Sequence, residues 1–245
     1  AAAMRAAEKR FSDIAMPLGG LGLLQDAIIQ LAGIQRKPVP IIRPRAAVIF
    51  CADNGVVAEG VTQCGQDVTA TVTRNMGQGR STMCMMAKSI DMHVFPVDIG
   101  VAEKFSFKGV VHKKIRKGTE NIAENAAMTR DEAIAAVKTG IELAEDCAQQ
   151  GFRLVCGGEM GIGNTTTSSA VASVLLDRSV EEMTGRGAGL SGDGLNRKIN
   201  AIRKAIEVNQ PDPKDAIGVL AKVGGFDIAG MAGMFLGGAA LGVPV

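Results

Sequence analysis

Two short runs, residues 46–51 (AAVIFC) and 152–156 (FRLVC), are almost wholly apolar, and long amphipathic segments lie between them. A strand that is apolar on both faces has to be covered on both faces, which is the condition of a parallel sheet inside an α/β protein. Residues 93–97 (HVFPV) form another strand candidate, broken by a proline and followed by DIGV, and 110–116 a weaker one. Helical spacing is carried by 21–34, by 66–88 with an interruption at MGQGRS, by 129–150, 165–176 and 195–207, and by the Gly/Ala-rich 226–241. Thr-Arg-Asp-Glu at 129–132 fits a capping box for the longest of these. Alternation of strands with helices predicts a doubly wound, mainly parallel sheet covered by helices. Length supports one large domain plus a small appendage, divided here as a helical segment at 1–40 and a Rossmann-like α/β domain at 41–245.

Composition removes several functional classes. Lys and Arg number 27 against 25 Asp and Glu, so the charge is only +2 and no basic nucleic-acid footprint is expected; the absence of Trp and Tyr takes away the usual base-stacking platforms. Five cysteines (Cys51, Cys64, Cys84, Cys147, Cys156) are an odd set without a CxxC pair, which argues against a disulfide framework or zinc site and for reduced thiols in the cytoplasm. His93 and His112 are too few for a histidine-rich metal site. No apolar run approaches the ~18 residues of a membrane span. The N-terminal AAAM lacks the features of a signal peptide and reads as a truncation remnant.

In parallel sheets ligands sit beyond the carboxyl ends of the strands. That directs attention to ADNGVVAEG, to DIGV and above all to GGEMGIGNTT at 157–166. Four glycines in seven residues permit sharp turns and exposed N–H groups, and Thr165 and Thr166 open a helix whose positive end favours an anion. The string is neither GxxxxGK[ST] nor GxGxxG, which disfavours a nucleoside triphosphatase and a dinucleotide-binding dehydrogenase. A plain glycine-rich turn with threonine caps fits the same residues, although Glu159 sits inside it. Asp53 and Asp98 follow apolar runs and suit either a ribose contact or an ordinary helix cap. Arg186 and Lys198 are phosphate partners or surface charges. Cys51 and Cys156 read as small buried hydrophobes at strand ends, His93 as a strand start, and the methionines at 83–86 as core filler. No serine–histidine–acid or cysteine–histidine order is present.

Taken together, seven collinear segments resemble the nicotinate-nucleotide:dimethylbenzimidazole phosphoribosyltransferases of cobalamin biosynthesis. They are PLGGLGLLQDAIIQLAGIQ, FCADNGVVAEGVTQCGQDVT, VDIGV, RKGTENI with AAMT, GGEMGIGNTT, TGRGAGL with Lys198, and GGFDIAGMAG. The resemblance implies transfer of the 5-phosphoribosyl group of nicotinate mononucleotide to 5,6-dimethylbenzimidazole, with inversion, giving α-ribazole 5′-phosphate and nicotinate. It implies neither a metal nor a cofactor, no nucleic-acid or membrane partner, and a homodimer. By this resemblance Glu159 matches the active-site acid of the glycine loop. Gly161, Gly163, Asn164 and Thr165, with Thr166 beside them, match the nucleotide phosphate and ribose region, and Lys198 a phosphate-binding lysine. Thr62 matches a serine of the base pocket, and Asp53 the acid of GDHGV, which reads ADNGV here.

Departures accompany the match. Family members run on the order of a hundred residues longer and carry LDGF, a serine-glutamate-glycine-histidine region and an LGEGTGA loop with the principal general base. This sequence ends at Val245, where the strand before DGF is expected to begin, so the small helical subdomain is expected from the N-terminal part alone. Three readings follow: the family reaction; the same reaction on another purine, benzimidazole or phenol, given Thr62, Cys64 and Gly65 in the base pocket; or a catalytically silent nucleotide-binding or oligomerisation module.

Overall fold

A computed structural model describes residues 2–17, 19–104 and 106–245. Strand β1 (Arg45–Ala52) is the centre of the molecule. Its even-numbered side chains Ala46, Val48 and Phe50 enter the larger core, while Ala47, Ile49 and Cys51 enter the smaller core on the other face. This is the two-sided burial that the apolar run requires. β2 (Met92–Gly100) and β4 (Leu154–Met160) flank β1, and β3 (Val111–His112) adds a short outer rung, giving the order β3-β2-β1-β4 with every pairing parallel. The chain is thus an α/β protein with a parallel, helix-covered sheet.

α3 (Asp67–Gly77) and α4 (Thr82–Ser89) cover one face. The other face is covered chiefly by α5 (Arg130–Gln149) and α10 (Phe226–Leu241), whose mutual contact is the most extensive in the protein. α6 (Asn164–Leu175), α7 (Val180–Met183), α8 (Gly192–Asn209) and α9 (Ala216–Val223) complete that side. α1 (Ala2–Ser12) and α2 (Leu23–Gln35) pack on each other as an N-terminal helical subdomain. Gln35 ties that subdomain to the sheet: its Nε2 donates to the carbonyls of Ile41 at 2.7 Å and Arg153 at 3.1 Å.

Local chemistry explains most boundaries. α5 starts at the expected capping box: Thr129 Oγ1 accepts from Glu132 N, and Glu132 Oε2 accepts from Thr129 N. The strands differ from expectation in three respects. β2 runs unbroken through Pro96, because β3 joins only at Val97 and the proline has a ladder neighbour on one side alone. β3 is two residues rather than seven. β4 extends through Gly157, Gly158 and Glu159, so part of the supposed glycine loop is strand; a Cβ at Gly158 would stand 2.8 Å from Ile49 Cδ1, whereas one at Gly157 would meet only ordinary contacts. Cys156 is exposed on this outer strand rather than buried, whereas Cys51 is buried as expected. α1, α7 and α9 escaped the sequence reading: α1 buries only Ala7, and the other two are at most eight residues long. At the end of the chain the Pro244 carbonyl accepts Val155 N at 2.9 Å, beside β4. Among the described residues no helix is long and apolar enough to cross a membrane.

α5 and α10 touch backbone to backbone. A Cβ on Gly140 would overlap the carbonyl oxygen of Gly230, and one on Gly233 would overlap that of Val137. Gly233→Ala should therefore cost about 3 kcal/mol, at the upper end of overpacking penalties. Gly192→Ala, in open space at the start of α8, should be neutral or slightly stabilising. Urea unfolding of both variants checks the contrast.

Candidate active site

β2 lies on one side of β1 and β4 on the other, so the winding reverses between β1 and β4, and a crevice opens beyond their carboxyl ends. Register brings the ends level: Phe50 is opposite Glu159 and Cys51 opposite Met160. Gly161 is obligatory at this junction, because a Cβ there would overlap the Ala52 carbonyl and lie 2.9 Å from Asp227 Oδ2 and 3.0 Å from Asn54 Nδ2. Gly163 closes the turn at φ 94°, a left-handed conformation that favours glycine.

The turn does not offer a row of exposed N–H groups. Ile162 N donates to Thr69 Oγ1 at 3.0 Å, Asn164 N to Gly161 O at 3.1 Å, and Thr166 N to Gly163 O at 2.9 Å. Thr165 N donates to Asn164 Oδ1 at 2.7 Å. Side chains back the turn instead, the chief one a buried lysine. Lys198, on α8, reaches across to place Nζ 2.8 Å from Thr165 Oγ1 and 3.2 Å from the Gly185 carbonyl. Gly187 allows that approach, since a Cβ on it would stand 3.0 Å from Thr165 Oγ1 and 3.5 Å from Nζ. Burial lowers the Lys198 pKa from the ordinary lysine value.

Glu159 ends β4 with its Oε2 accepting a short hydrogen bond from Asn164 Nδ2. Burial raises its pKa and the Asn164 bond pulls it back. Two cavities meet at this segment. One of about 310 Å³ is lined by Thr62, Gly161, Gly163, Asn164, Thr165 and Arg186, among others. The second, of about 530 Å³, has Ile49, Val72, Met76, Met83 and Met160 in its wall, together with Arg80, Ser81 and Glu159. A carboxyl in the lining of the larger cavity thus sits two residues before the turn that lines the smaller one.

Of the sequence-predicted residues, the crevice brings together Thr62, Glu159, Gly161, Gly163, Asn164, Thr165 and Lys198. Thr62 Oγ1 donates to the Cys64 carbonyl at 2.8 Å, fixing its own loop. Arg186 lines the smaller cavity but donates to the Leu190 carbonyl at 2.7 Å. Two residues lie elsewhere. Thr166 is wholly buried, its hydroxyl among the helices. Asp53 is buried toward β2, its Oδ2 accepting Ala102 N at 2.7 Å, with burial raising its pKa. Asp98 accepts Val101 N at 3.0 Å and pairs with Lys114 at 3.2 Å, also outside the crevice. Among the described residues no group of three His, Cys, Asp or Glu could hold a metal.

Sequence reasoning missed Asn54 and Asp227. Asn54 Nδ2 donates to Asp227 Oδ2 at 3.2 Å, and Thr167 Oγ1 donates to Asn54 Oδ1 at 3.5 Å. The available signal was Asp227 itself, the one charged residue of an otherwise apolar α10, preceded by Gly224-Gly225.

The family described as Phosphoribosyltransferase matches residues 1–245. A nicotinate-nucleotide–dimethylbenzimidazole phosphoribosyltransferase of Acetivibrio thermocellus is 50% identical over 97% of this chain and 68% of its own length. The chain belongs to the nicotinate-nucleotide:dimethylbenzimidazole phosphoribosyltransferase (CobT) family. A member from Ruminiclostridium cellulolyticum is 49% identical over 99% of this chain and 69% of its own. The crystal structure of CobT from Thermus thermophilus superposes with a TM-score of 0.92 at 34% identity, covering 100% of this chain and 73% of that one. The fold is accordingly that of a CobT-family enzyme.

Burial and the Glu159 charge push the Asp227 pKa from 3.8 up to about 7. The folded state therefore binds more protons than the unfolded state between those two values, and stability falls as pH rises across that interval. The contribution is complete below about 3.8 and lost above about 7. Chemical denaturation against pH should show this decline in the wild type and a flatter profile in Asp227→Asn.

Proposed function

We infer that this chain transfers the 5-phosphoribosyl group of nicotinate mononucleotide to 5,6-dimethylbenzimidazole, releasing nicotinate and forming α-ribazole 5′-phosphate. The observation that carries this reading is Glu159 in the lining of one cavity, next to a second cavity lined by Asn164 and by Thr165, whose Oγ1 receives Lys198 Nζ. Thr165 Oγ1 and Lys198 Nζ suit a phosphate, and the methionine-walled cavity suits a flat apolar base.

One benzimidazole nitrogen attacks the anomeric carbon while the bond from that carbon to the pyridinium nitrogen breaks. The bonding pair returns to the nicotinate ring and neutralises its charge, so departure needs no further activation. The remaining benzimidazole N–H loses its proton to a carboxylate; the family resemblance gives that role chiefly to the LGEGTGA glutamate, and in this chain we assign it to Glu159. Its raised pKa makes it a better acceptor than an exposed glutamate, and Asn164 holds it in place. The rest of the rate comes from holding two rings and a ribose in line.

A second reading keeps the chemistry and changes the base. Met76, Met83 and Met160 are unbranched and adaptable, so the apolar cavity tolerates related benzimidazoles or purines. Bases mixed in competition, with products separated by mass, distinguish the two. A cytoplasmic homodimer belongs to the same proposal: the five free cysteines suit a reducing compartment, and sedimentation velocity tests the dimer.

Nicotinate release from nicotinate mononucleotide and dimethylbenzimidazole tests the reading directly, and none at all would place the chain with the catalytically silent modules. Glu159→Gln should lower turnover by ~10²–10⁴, the usual worth of a positioned base, with little change in nucleotide affinity. Lys198→Met keeps the stem and removes a charge that is costly to bury. Its melting temperature should hold or rise while nucleotide affinity falls about tenfold or more, measured by calorimetry. Equal affinity would put the phosphate elsewhere.

A further inference from the structure

Asp227 lies directly beneath the glycine turn and takes no part in the mechanism above. It is fully buried at the second position of α10. One carboxyl oxygen accepts Asn54 Nδ2 at 3.2 Å and the other accepts Ile228 N at 2.9 Å. Glycines are required on both sides of it. A Cβ on Gly161 would come within 2.9 Å of Oδ2, and one on Gly225 would overlap Oδ1 and crowd Asn54 Oδ1 at 2.5 Å. The Thr167 hydroxyl, with one proton to give, lies 3.5 Å from Asn54 Oδ1 and 2.9 Å from the Asn164 carbonyl, bridging the two as alternative acceptors. The chain Asp227–Asn54–Thr167–Asn164 therefore ends on the residue that holds Glu159.

The electrostatics of this cluster are one-sided. Glu159 is the charged neighbour acting on Asp227 from β4, and Cys51 faces it from β1 as a thiol held neutral by burial. α6 carries no ionisable residue. Arg116 lies over the Phe226 ring at 5.9 Å but is paired with Glu120 and Glu132. None of the ion pairs among the described residues includes Glu159 or Asp227. Arg80 lines the same cavity as Glu159 without pairing with it, and two carboxyls so placed cannot both be ionised cheaply.

We propose that Asp227 is a positioning residue that forms one unit with Glu159, the two carrying a single negative charge while nucleotide is bound. In that state Glu159 is the carboxylate and Asp227 the neutral brace under Gly161. A second ionisation puts two negative charges under the pocket that receives the phosphate, and the nucleotide is repelled. Burial of Asp227 supports the same assignment, since it raises the pKa to about 7.

The proposal rests on the reading of the crevice as a nucleotide site, and two measurements keep them separable. The first needs no ligand: side-chain carboxyl carbons are followed by NMR against pH in the wild type and in Glu159→Gln. Removing the Glu159 charge should lower the Asp227 midpoint by about one pH unit or more, and an unmoved midpoint overturns the coupling. The second is calorimetric affinity for nicotinate mononucleotide against pH. Wild type should lose affinity roughly tenfold between about pH 6 and about pH 8, and Asp227→Asn should not. If the variant binds and keeps the alkaline loss, Asp227 is a structural strut and the charge role is overturned. If wild type binds no nucleotide at any pH, the functional reading fails while the carboxyl titration still decides the coupling.

Discussion

Contact between the Ala52 carbonyl and the α-carbon of Gly161 is the constraint on which the site depends. Strands β1 and β4 run level to their ends and then diverge, and only a residue without a side chain lets the β4 exit cross so close to β1. That crossing turns Asn54 under the glycine loop and aims Glu159 along the crevice. A methyl group at position 161 would have to displace backbone, because the atom it meets is a carbonyl oxygen rather than the end of a flexible side chain. Position 163 is restricted for a separate reason, its positive φ.

A second close approach, between α5 and α10, places the remaining members. Gly140 and Gly233 let the two helix backbones touch, so α10 lies low against Phe50 and Gly157. Its N-terminus then comes up under the turn and delivers Asp227 to Asn54. Packing far from the crevice thus sets the height of a buried acid within it. Substitutions at the helix contact should be felt in the site even though they touch none of its residues.

The parts legible in the sequence follow from period and local chemistry. β1 was readable because it is buried on both faces, and α5 because its capping box is written in four consecutive residues. Lys198 and the turn at 161–165 were readable through the family resemblance. Illegible features depend on long-range partners. Whether Gly158 turns or extends is decided by Ile49 on the neighbouring strand, and β2 keeps Pro96 because of where β3 happens to join. Asp53 resembles a ligand acid in any strand-end pattern; only the fold shows it spent on Ala102 N. Asp227 gave a compositional hint, yet its partners Asn54 and Glu159 are far away in sequence, beyond any local reading.

Three ionisable groups of the crevice are pushed toward their neutral forms by burial, Lys198 downward and Glu159 and Asp227 upward. The protein's own side chains therefore leave the site electrostatically unsatisfied, which costs stability in the way functional sites commonly do. Nicotinate mononucleotide, as the proposed substrate, brings the complementary pattern: an anionic phosphate for the Lys198 side and a cationic pyridinium for the acid side. Binding restores the charged states of Lys198 and Glu159 while Asp227 stays neutral, so part of the binding energy appears as ionisation of the protein. Departure of nicotinate then removes the positive charge while both carboxyls stay in place. The acid pair is left with excess negative character at the moment the new benzimidazole bond has made its N–H acidic. Proton transfer to Glu159 relieves both at once, which gives the pair of buried acids a physical reason to carry a single charge before the transfer.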